Sequence, residues 1–381
     1  MPFSIEELKN YIMAEIASTV AETERTSVYP AGLVKKLAAR NYLLPNIPLN
    51  YGGLGLTPAE YGIFTFEVGK VCQATRALYT VNSSLVAESV LRWGTEEQKL
   101  HYLGKMAKGE LVGAFALSEP KTGSDAGSVK TSYVKTEHGY ILSGTKKWIS
   151  FGGIAGFFLV IASDKGKVFA FLVNRNLPGI SVEEMKGLLA GHGAHIAMIN
   201  FDNVELPAES LLGPEGNGMA YVVSTALDHG RYSIAWGAAA ICYAAIEAMV
   251  TYSRKRDQFD KKIYKHEVIQ HIIGESTAKM HSVIALCEKA GTLRMQNHPD
   301  SVMETNAAKY ISSRAAVEIA SASLQVHGGN GCWNIFPAER LFREARILEI
   351  IEGTSQVQEK LLASFALRRY FNPDLYNNID I

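Results

Sequence analysis

The hydrophobic period of this chain changes twice, and the order of those changes constrains the fold more than any single motif. Residues 1–115 read as helical. Ser4-Ile5-Glu6-Glu7, Thr57-Pro58-Ala59-Glu60 and Thr95-Glu96-Glu97-Gln98 have capping-box spacing, the second with proline at the first helical position. After about Ala116 the period shortens. Residues 131–144 read as a hairpin turning at His138-Gly139, and 156–162 and 168–173 are β-branched and aromatic runs separated by polar turns. Residues 197–206 alternate and end at Pro207. From Asn217 the helical period returns. Ile269, Ile272, Ile273, Ser276, Met280, Val283, Ile284 and Cys287 keep 3/4 spacing, and 221–255 and 305–326 are also long and helical. The expected fold is α+β and multidomain: an N-terminal helical domain over 1–115, a central antiparallel β-barrel or sheet domain over 116–216, and a C-terminal four-helix bundle over 217–381. The tail from Asn372 is expected to fray or to dock on a neighbour.

Charge narrows the partners. Lys and Arg total 38 against 38 for Asp and Glu, so no basic surface for nucleic acid or membrane is expected, and a small or neutral partner fits better. Uninterrupted apolar runs fall short of the ~18–20 residues of a membrane span. Cys72, Cys242, Cys287 and Cys332 lie far apart, without CxxC or zinc spacing, so no metal is expected and a reduced, cytoplasmic setting is. The N-terminus shows no basic and apolar signal pattern.

Five stretches carry chemistry. In Ile350-Ile351-Glu352-Gly353-Thr354-Ser355-Gln356 a carboxylate sits in an apolar run, and Thr354 can cap a helix starting at Ser355. Burial of such a carboxylate raises its pKa and suits it to general-base work; equally, the stretch is a loop with a capped helix start. Phe115-Ala116-Leu117-Ser118-Glu119-Pro120-Lys121-Thr122-Gly123-Ser124-Asp125 offers hydroxyls and backbone N–H groups to a polar heterocycle or a thioester tail, or is an interdomain loop. Trp148 and Ser150 in Lys146-Lys147-Trp148-Ile149-Ser150 suit an aromatic cofactor, or the tryptophan is core. Gln325-Val326-His327-Gly328-Gly329-Asn330-Gly331 ends a helix with bare backbone, and lacks the strand-before, helix-after context of a dinucleotide fingerprint. Asp228-His229-Gly230-Arg231 reads as a helix opening with Asp228 as its N-cap. Arg254 and Arg256 are either a solvated helix end or phosphate contacts. His229 and His327 are read as structural.

In this order, SEPKTGSD, GTKKWIS, LDHGR, RDQF, QVHGGNG and IIEGTSQVQ resemble the acyl-CoA dehydrogenase family over nearly the whole chain. The resemblance implies an FAD enzyme, a homodimer or homotetramer, that oxidises an acyl thioester and passes electrons to an electron-transfer flavoprotein or another acceptor. It implies Glu352 as catalytic base, with Phe115, Leu117, Ser118, Trp148, Ser150, Thr354 and Gln356 on the flavin. It places Arg256 and Phe259 on the FAD of a neighbouring subunit, which Gln325 and Gly329 help to hold. Ser124, Asp228 and Arg231 would border the pantetheine path. A second base position known in some branches falls on Gly230, which has no side chain. Asp260 stands where the family has glycine after RxxF. The helix wall lining the acyl pocket, 80–89, is polar at Asn82, Ser83, Ser84, Glu88 and Ser89, some of which are expected to face solvent. Tyr232-Ser233-Ile234-Ala235-Trp236-Gly237 and residues 346–352 resemble the branch acting on short polar acyl groups held by acyl carrier proteins, which makes hydroxymalonyl or methoxymalonyl units for polyketides. The alternatives are short-chain CoA-ester desaturation, a flavin oxidase or monooxygenase, or a non-catalytic flavin-binding relative.

Overall fold

The N-terminal helices start where the capping residues place them. Ser4 accepts the Glu7 N–H and opens Ile5–Tyr11, while both arms of the box form at Thr57 and Thr95 to open Pro58–Val71 and Glu96–Ala107. Between these last two, Gln73–Leu78 continues through a π-helical segment, Tyr79–Ala87, into Glu88–Trp93. The computed structural model describes residues 3–372, so the tail from Pro373 onward lies outside the described residues.

Eight strands follow: β1 Gly113–Ala116, β2 Ser132–Lys135, β3 Gly139–Ile149, β4 Phe157–Asp164, β5 Lys167–Asn174, β6 Ile180–Glu184, β7 Ala197–Pro207 and β8 Leu211–Leu212. They form two four-stranded sheets, β1-β4-β5-β8 and β2-β3-β7-β6. The predicted hairpin is β2–β3, with Lys135 opposite Tyr140. One pair departs from the antiparallel expectation: β1 runs parallel to β4, with Gly113 opposite Phe157. Tight turns force antiparallel neighbours, but β1 enters from the helical region and reaches β4 only after a long excursion, so no turn dictates its direction. Inward faces of both sheets share one core, in which Tyr133 stacks on Phe169 at 4.3 Å.

Three long helices, Ser224–Lys255, Glu267–Met295 and Ser301–His327, form the C-terminal bundle with the shorter Pro337–Leu348, and Ser355–Arg369 packs on the third. Ser224–Lys255 is the hub. Helix Pro58–Val71 and the π-helical segment both pack on it, so the first and last regions share a continuous core including Phe64, Leu85, Ile234 and Ala238. This hub helix is long and apolar enough to cross a membrane, yet 67% of its most apolar window is buried within the fold. The Asp228 expectation needs correcting. A π-helical turn, Met219–Val223, runs straight into Ser224–Lys255, so Asp228 lies inside a helix already begun and caps nothing.

Candidate active site

The turn between Pro337–Leu348 and Ser355–Arg369 carries Glu352. Two consecutive left-handed residues make it, Glu352 at φ 54° and Gly353 at φ 89°. Thr354 then caps the next helix, accepting the Val357 N–H at 3.3 Å as its sequence predicts. Polar side chains from the bundle clamp the turn's backbone. The Glu352 carbonyl accepts from Arg231 Nε at 3.1 Å and Gln358 Nε2 at 3.2 Å, and the Gly353 carbonyl accepts from the fully buried Lys309 Nζ at 2.7 Å. With both carbonyls held, the carboxyl group is aimed inward.

Although the residue as a whole is half-buried, Glu352 Oε2 is sealed from solvent and has no hydrogen-bond partner among the described residues. Burial raises its pKa to about 7, against the opposing charges of Arg231, Lys309 and Arg76. The apolar surroundings differ in part from the sequence expectation. Ile350 is 48% exposed, whereas Ile351 is half-buried against the core, and the bare backbone of Gly230 lies against the carboxyl from the hub helix. A β-carbon at position 230 would lie 2.7 Å from Glu352 Oε2, so a side chain there and the Glu352 carboxyl would compete for one space.

Opposite the turn lies the polar helix wall, and every residue from Tyr79 to Ser89 is buried, correcting the expectation that some face solvent. Their polarity is used internally. Asn82 Oδ1 accepts the Gly113 N–H at 2.9 Å and so ties the wall to β1. Ser83 meets Asn46, and Glu88 takes Asn46 Nδ2 at 2.6 Å and lies 3.4 Å from His229. Tyr61 OH links Ser84 Oγ at 2.7 Å to Ser233 Oγ at 2.9 Å, and Ser233 joins Thr80 at 2.7 Å. Arg76 closes the chain through Thr80 Oγ1 at 2.9 Å.

The sequence reading missed Arg76, Lys309, Tyr61 and Ser233. Arg76 did leave a signal: it is the only charged residue between Lys70 and Glu88. A lone cation in a buried helix run requires a partner.

The residues assigned to the flavin form two groups. In the first, Phe115 lies in β1, Leu117 and Ser118 follow it, and Lys147 N–H donates to the Ser118 carbonyl at 2.9 Å, laying this stretch beside the end of β3. Beneath it the buried Lys146 bonds the Leu117 carbonyl and Glu119 Oε1, both at 2.8 Å. Trp148 is not core: it takes φ 67°, is 53% exposed, and lies under Lys147 Nζ at 4.8 Å. Ser150 is half-buried, as is Thr354, while Gln356 is exposed on the first turn of its helix. In the second group, Arg256, Phe259, Gln325 and Gly329 line a separate cleft of about 610 Å³ at the far end of the bundle. None of the first group lines it. Phe259 and Asp260, at φ 53° and 59°, form the two-residue turn of a small hairpin, and Phe259 is 88% exposed. Both central residues of such a turn need positive φ, and aspartate tolerates it, which accounts for Asp260 without glycine. At Gly328 and Gly329 an added β-carbon would meet nothing within 4 Å, so bare backbone faces open space.

Of the residues assigned to the thioester tail, Ser124 is exposed on its loop. Asp228 pairs with Arg294 at 2.9 Å, and Arg231 serves the Glu352 carbonyl. His327 is buried, with Nδ1 2.7 Å from the Ser323 carbonyl and its ring stacked on Tyr252. Among the described residues no three His, Cys, Asp or Glu side chains converge as metal ligands would.

An outward indole beside hydroxyls and backbone N–H groups suits a flavin ring. An open glycine backbone beside an arginine and an exposed phenyl ring suits a dinucleotide tail. A carboxyl with one sealed, unpartnered oxygen and a pKa raised to about 7 is suited to general-base work.

Comparison with known proteins gives the family. Residues 5–110, 114–204 and 216–367 match the N-terminal, middle and C-terminal domains of acyl-CoA dehydrogenases. The human mitochondrial short-chain specific acyl-CoA dehydrogenase is 33% identical over 96% of this chain and 90% of its own length. Butyryl-CoA dehydrogenase from Megasphaera elsdenii superposes with a TM-score of 0.91 at 28% identity, over 97% of this chain and all of that one. FkbI, described as acting in biosynthesis of the methoxymalonyl extender unit of the Fk520 polyketide, superposes with a TM-score of 0.86 at 28% identity, over 95% of this chain and 98% of that one. The chain therefore belongs to the acyl-CoA dehydrogenase family, FAD-dependent oxidoreductases that act on acyl thioesters.

Proposed function

We propose that the protein oxidises a short, polar acyl thioester carried on an acyl carrier protein, with Glu352 as base. The observation that carries this reading is the sealed, unpartnered Glu352 carboxyl with its pKa near 7, set against a buried wall rich in hydroxyls. Ionised, Glu352 takes the proton from the carbon next to the thioester. Its own backbone N–H, with the carbonyls on either side of Gly353 held by Arg231, Lys309 and Gln358, is available to the thioester oxygen as that oxygen gains negative charge. Phe115, Leu117, Ser118, Trp148, Ser150, Thr354 and Gln356 would hold FAD, which when bound would supply the acceptor for the hydride that leaves the neighbouring carbon. The substrate loses one proton and one hydride. A hydrocarbon acyl group then becomes an enoyl thioester; one whose terminal carbon is the hydride donor and carries a hydroxyl becomes an enol, which relaxes to the aldehyde.

Separation of the two flavin groups within one chain supports a homo-oligomer, in which Arg256, Phe259, Gln325 and Gly329 serve the FAD of a partner. Ser124 is the residue of the thioester-tail set left open to a pantetheine arm. Likeness to FkbI and the polar wall favour the carrier-protein form. Likeness to the short-chain enzyme favours the CoA form, with an electron-transfer flavoprotein as acceptor. Free cysteines throughout support a reducing, cytoplasmic setting.

Anaerobic bleaching of the FAD-loaded protein, measured with matched acyl groups on carrier protein and on CoA, separates the readings. Faster bleaching by the carrier-bound thioesters is expected. Faster bleaching by CoA esters would replace the carrier with CoA, and rapid peroxide formation in air would make the enzyme an oxidase.

A further inference from the structure

The side chains that clamp the Glu352 turn all come from the helical bundle. Arg231 lies on the hub helix, Lys309 on Ser301–His327 and Gln358 on Ser355–Arg369. These contacts fix the carboxyl relative to the bundle, not relative to Trp148 and Ser150 on the sheet side. Helix Pro337–Leu348, which leads into the turn, packs on the hub helix and on Ser301–His327, and among the described residues no strand of either sheet packs broadly on it. Asn82 ties the polar wall to β1 at Gly113, but a single tie between two bodies leaves a hinge. Proton and hydride leave adjacent carbons, so base and flavin must meet the substrate at one spacing.

Residues 185–196, the loop from β6 to β7, supply a second tie. Its Ala194 carbonyl accepts the Phe151 N–H at 2.6 Å and its His195 carbonyl the Gly153 N–H at 3.0 Å, immediately after Ser150. Its Leu189 carbonyl accepts Arg343 Nη1 at 3.1 Å, and Arg343 stands in the helix that leads to Glu352. The same guanidinium donates to Glu24 Oε2 at 3.2 Å and, from Nε and Nη2, to the Glu339 carboxylate at 2.7 and 3.1 Å. Glu24 belongs to helix Val20–Thr26, and His192 of the loop lies 3.2 Å from its carboxylate. One side chain thus joins the N-terminal helices, the sheets and the bundle. A planar fork of fixed donors holds an angle as well as a distance. The side chains of Arg343, Glu24 and Glu339 are 21%, 19% and 20% exposed, so solvent screens them less than an open surface pair.

We infer that Arg343, braced by Glu24 and the 185–196 loop, is a positioning residue that sets the Glu352 turn against the flavin wall. This rests on the reading of Glu352 as base and of Trp148 and Ser150 as flavin contacts. Loosening the brace should leave the carboxyl and its clamps intact and disturb only the spacing across which hydride must pass.

The test separates proton removal from hydride removal. The probe is a butyryl thioester, on carrier protein or on CoA, whichever bleaches the wild-type protein faster. Proton removal is read by mass spectrometry as deuterium uptake at the α-carbon in D2O, with the flavin reduced by dithionite beforehand so that no hydride acceptor remains. Hydride removal is read as anaerobic bleaching of the oxidised, FAD-loaded protein. Arg343→Met should slow bleaching ~10²-fold through kcat, with KM and deuterium uptake within about threefold of wild type. Arg343→Lys should recover part of the bleaching. If Arg343→Met does not fold, Glu24→Gln decides: it releases the N-terminal end of the brace and should show the same split at smaller size. Bleaching at the wild-type rate in every variant, or uptake that falls in step with bleaching, overturns the brace and leaves Glu352 as base. A wild-type protein that neither takes up deuterium nor bleaches removes the base reading and the brace with it.

Discussion

Glu119 and Glu352 are both shielded acids, in different regions and with opposite treatment. Glu119, at the junction of the helical region and the sheets, accepts the Lys130 N–H at 2.7 Å, the Thr131 N–H at 2.8 Å and the Lys146 ammonium at 2.8 Å. Burial pushes its pKa up, but these donors outweigh burial and hold it below the ordinary carboxylate value. Glu352 has its backbone clamped just as firmly, yet one carboxyl oxygen is left with nothing, and its pKa rises to about 7. Where both oxygens are answered, a buried acid ties segments together. Where one is withheld, it is free to take a proton.

Four measurements break or sharpen that contrast. Glu352→Gln should retain flavin and fold but lose substrate bleaching by about 10³-fold, within the range general-base removal produces; undiminished bleaching would transfer the role elsewhere. Lys146→Met should do the reverse. It strands Glu119 as an unpaired buried charge, and unfolding by urea should show about 3–5 kcal/mol of lost stability. Next comes Gly230→Ala, whose methyl would collide with Leu85 Cδ2 and Glu352 Oε2 and should slow bleaching ~10²-fold by shifting the carboxyl, at a cost of about 1–3 kcal/mol in stability. The smallest effect is in pH. A base must be ionised to act, so bleaching should rise about tenfold per unit below pH ~7 and level off above it. Glu119 behaves differently. Its folded pKa is depressed, so its contribution to stability is present above the ordinary carboxylate range and is lost only as acid brings the pH down through that depressed value. A rate that stays flat across neutral pH would erase the distinction between the two acids.

Much of the architecture was legible because it is local. Capping residues at Thr57, Thr95 and Thr354 and the 131–144 hairpin announce themselves within a few positions, and the structure builds each of them. The direction of β1 was not legible, since its partner β4 is set by tertiary packing. The candidate base was singled out by its motif, but its burial was only partly legible: adjacent Ile351 packs on the core while Ile350 faces out, and the backbone of Gly230 lies against the carboxyl from far along the sequence. Trp148 illustrates the same limit. A strand tryptophan reads as core, and only its left-handed backbone turns the ring outward. Asp228 was misread because a π-helical turn without a capping signature had already begun its helix. Arg76 was visible as a lone charge, but which groups answer it is a statement about space.

The left-handed backbone at Glu352 has a consequence for the role of its side chain. Glutamate pays ~1 kcal/mol or more to adopt that conformation, and glycine adopts it freely. Mutation to glycine would therefore relax the turn and empty the site of its acid, so on the proposed mechanism backbone strain and turnover are lost together. A glutamate held in this conformation is therefore explained by what its carboxyl does and not by what its backbone contributes to folding.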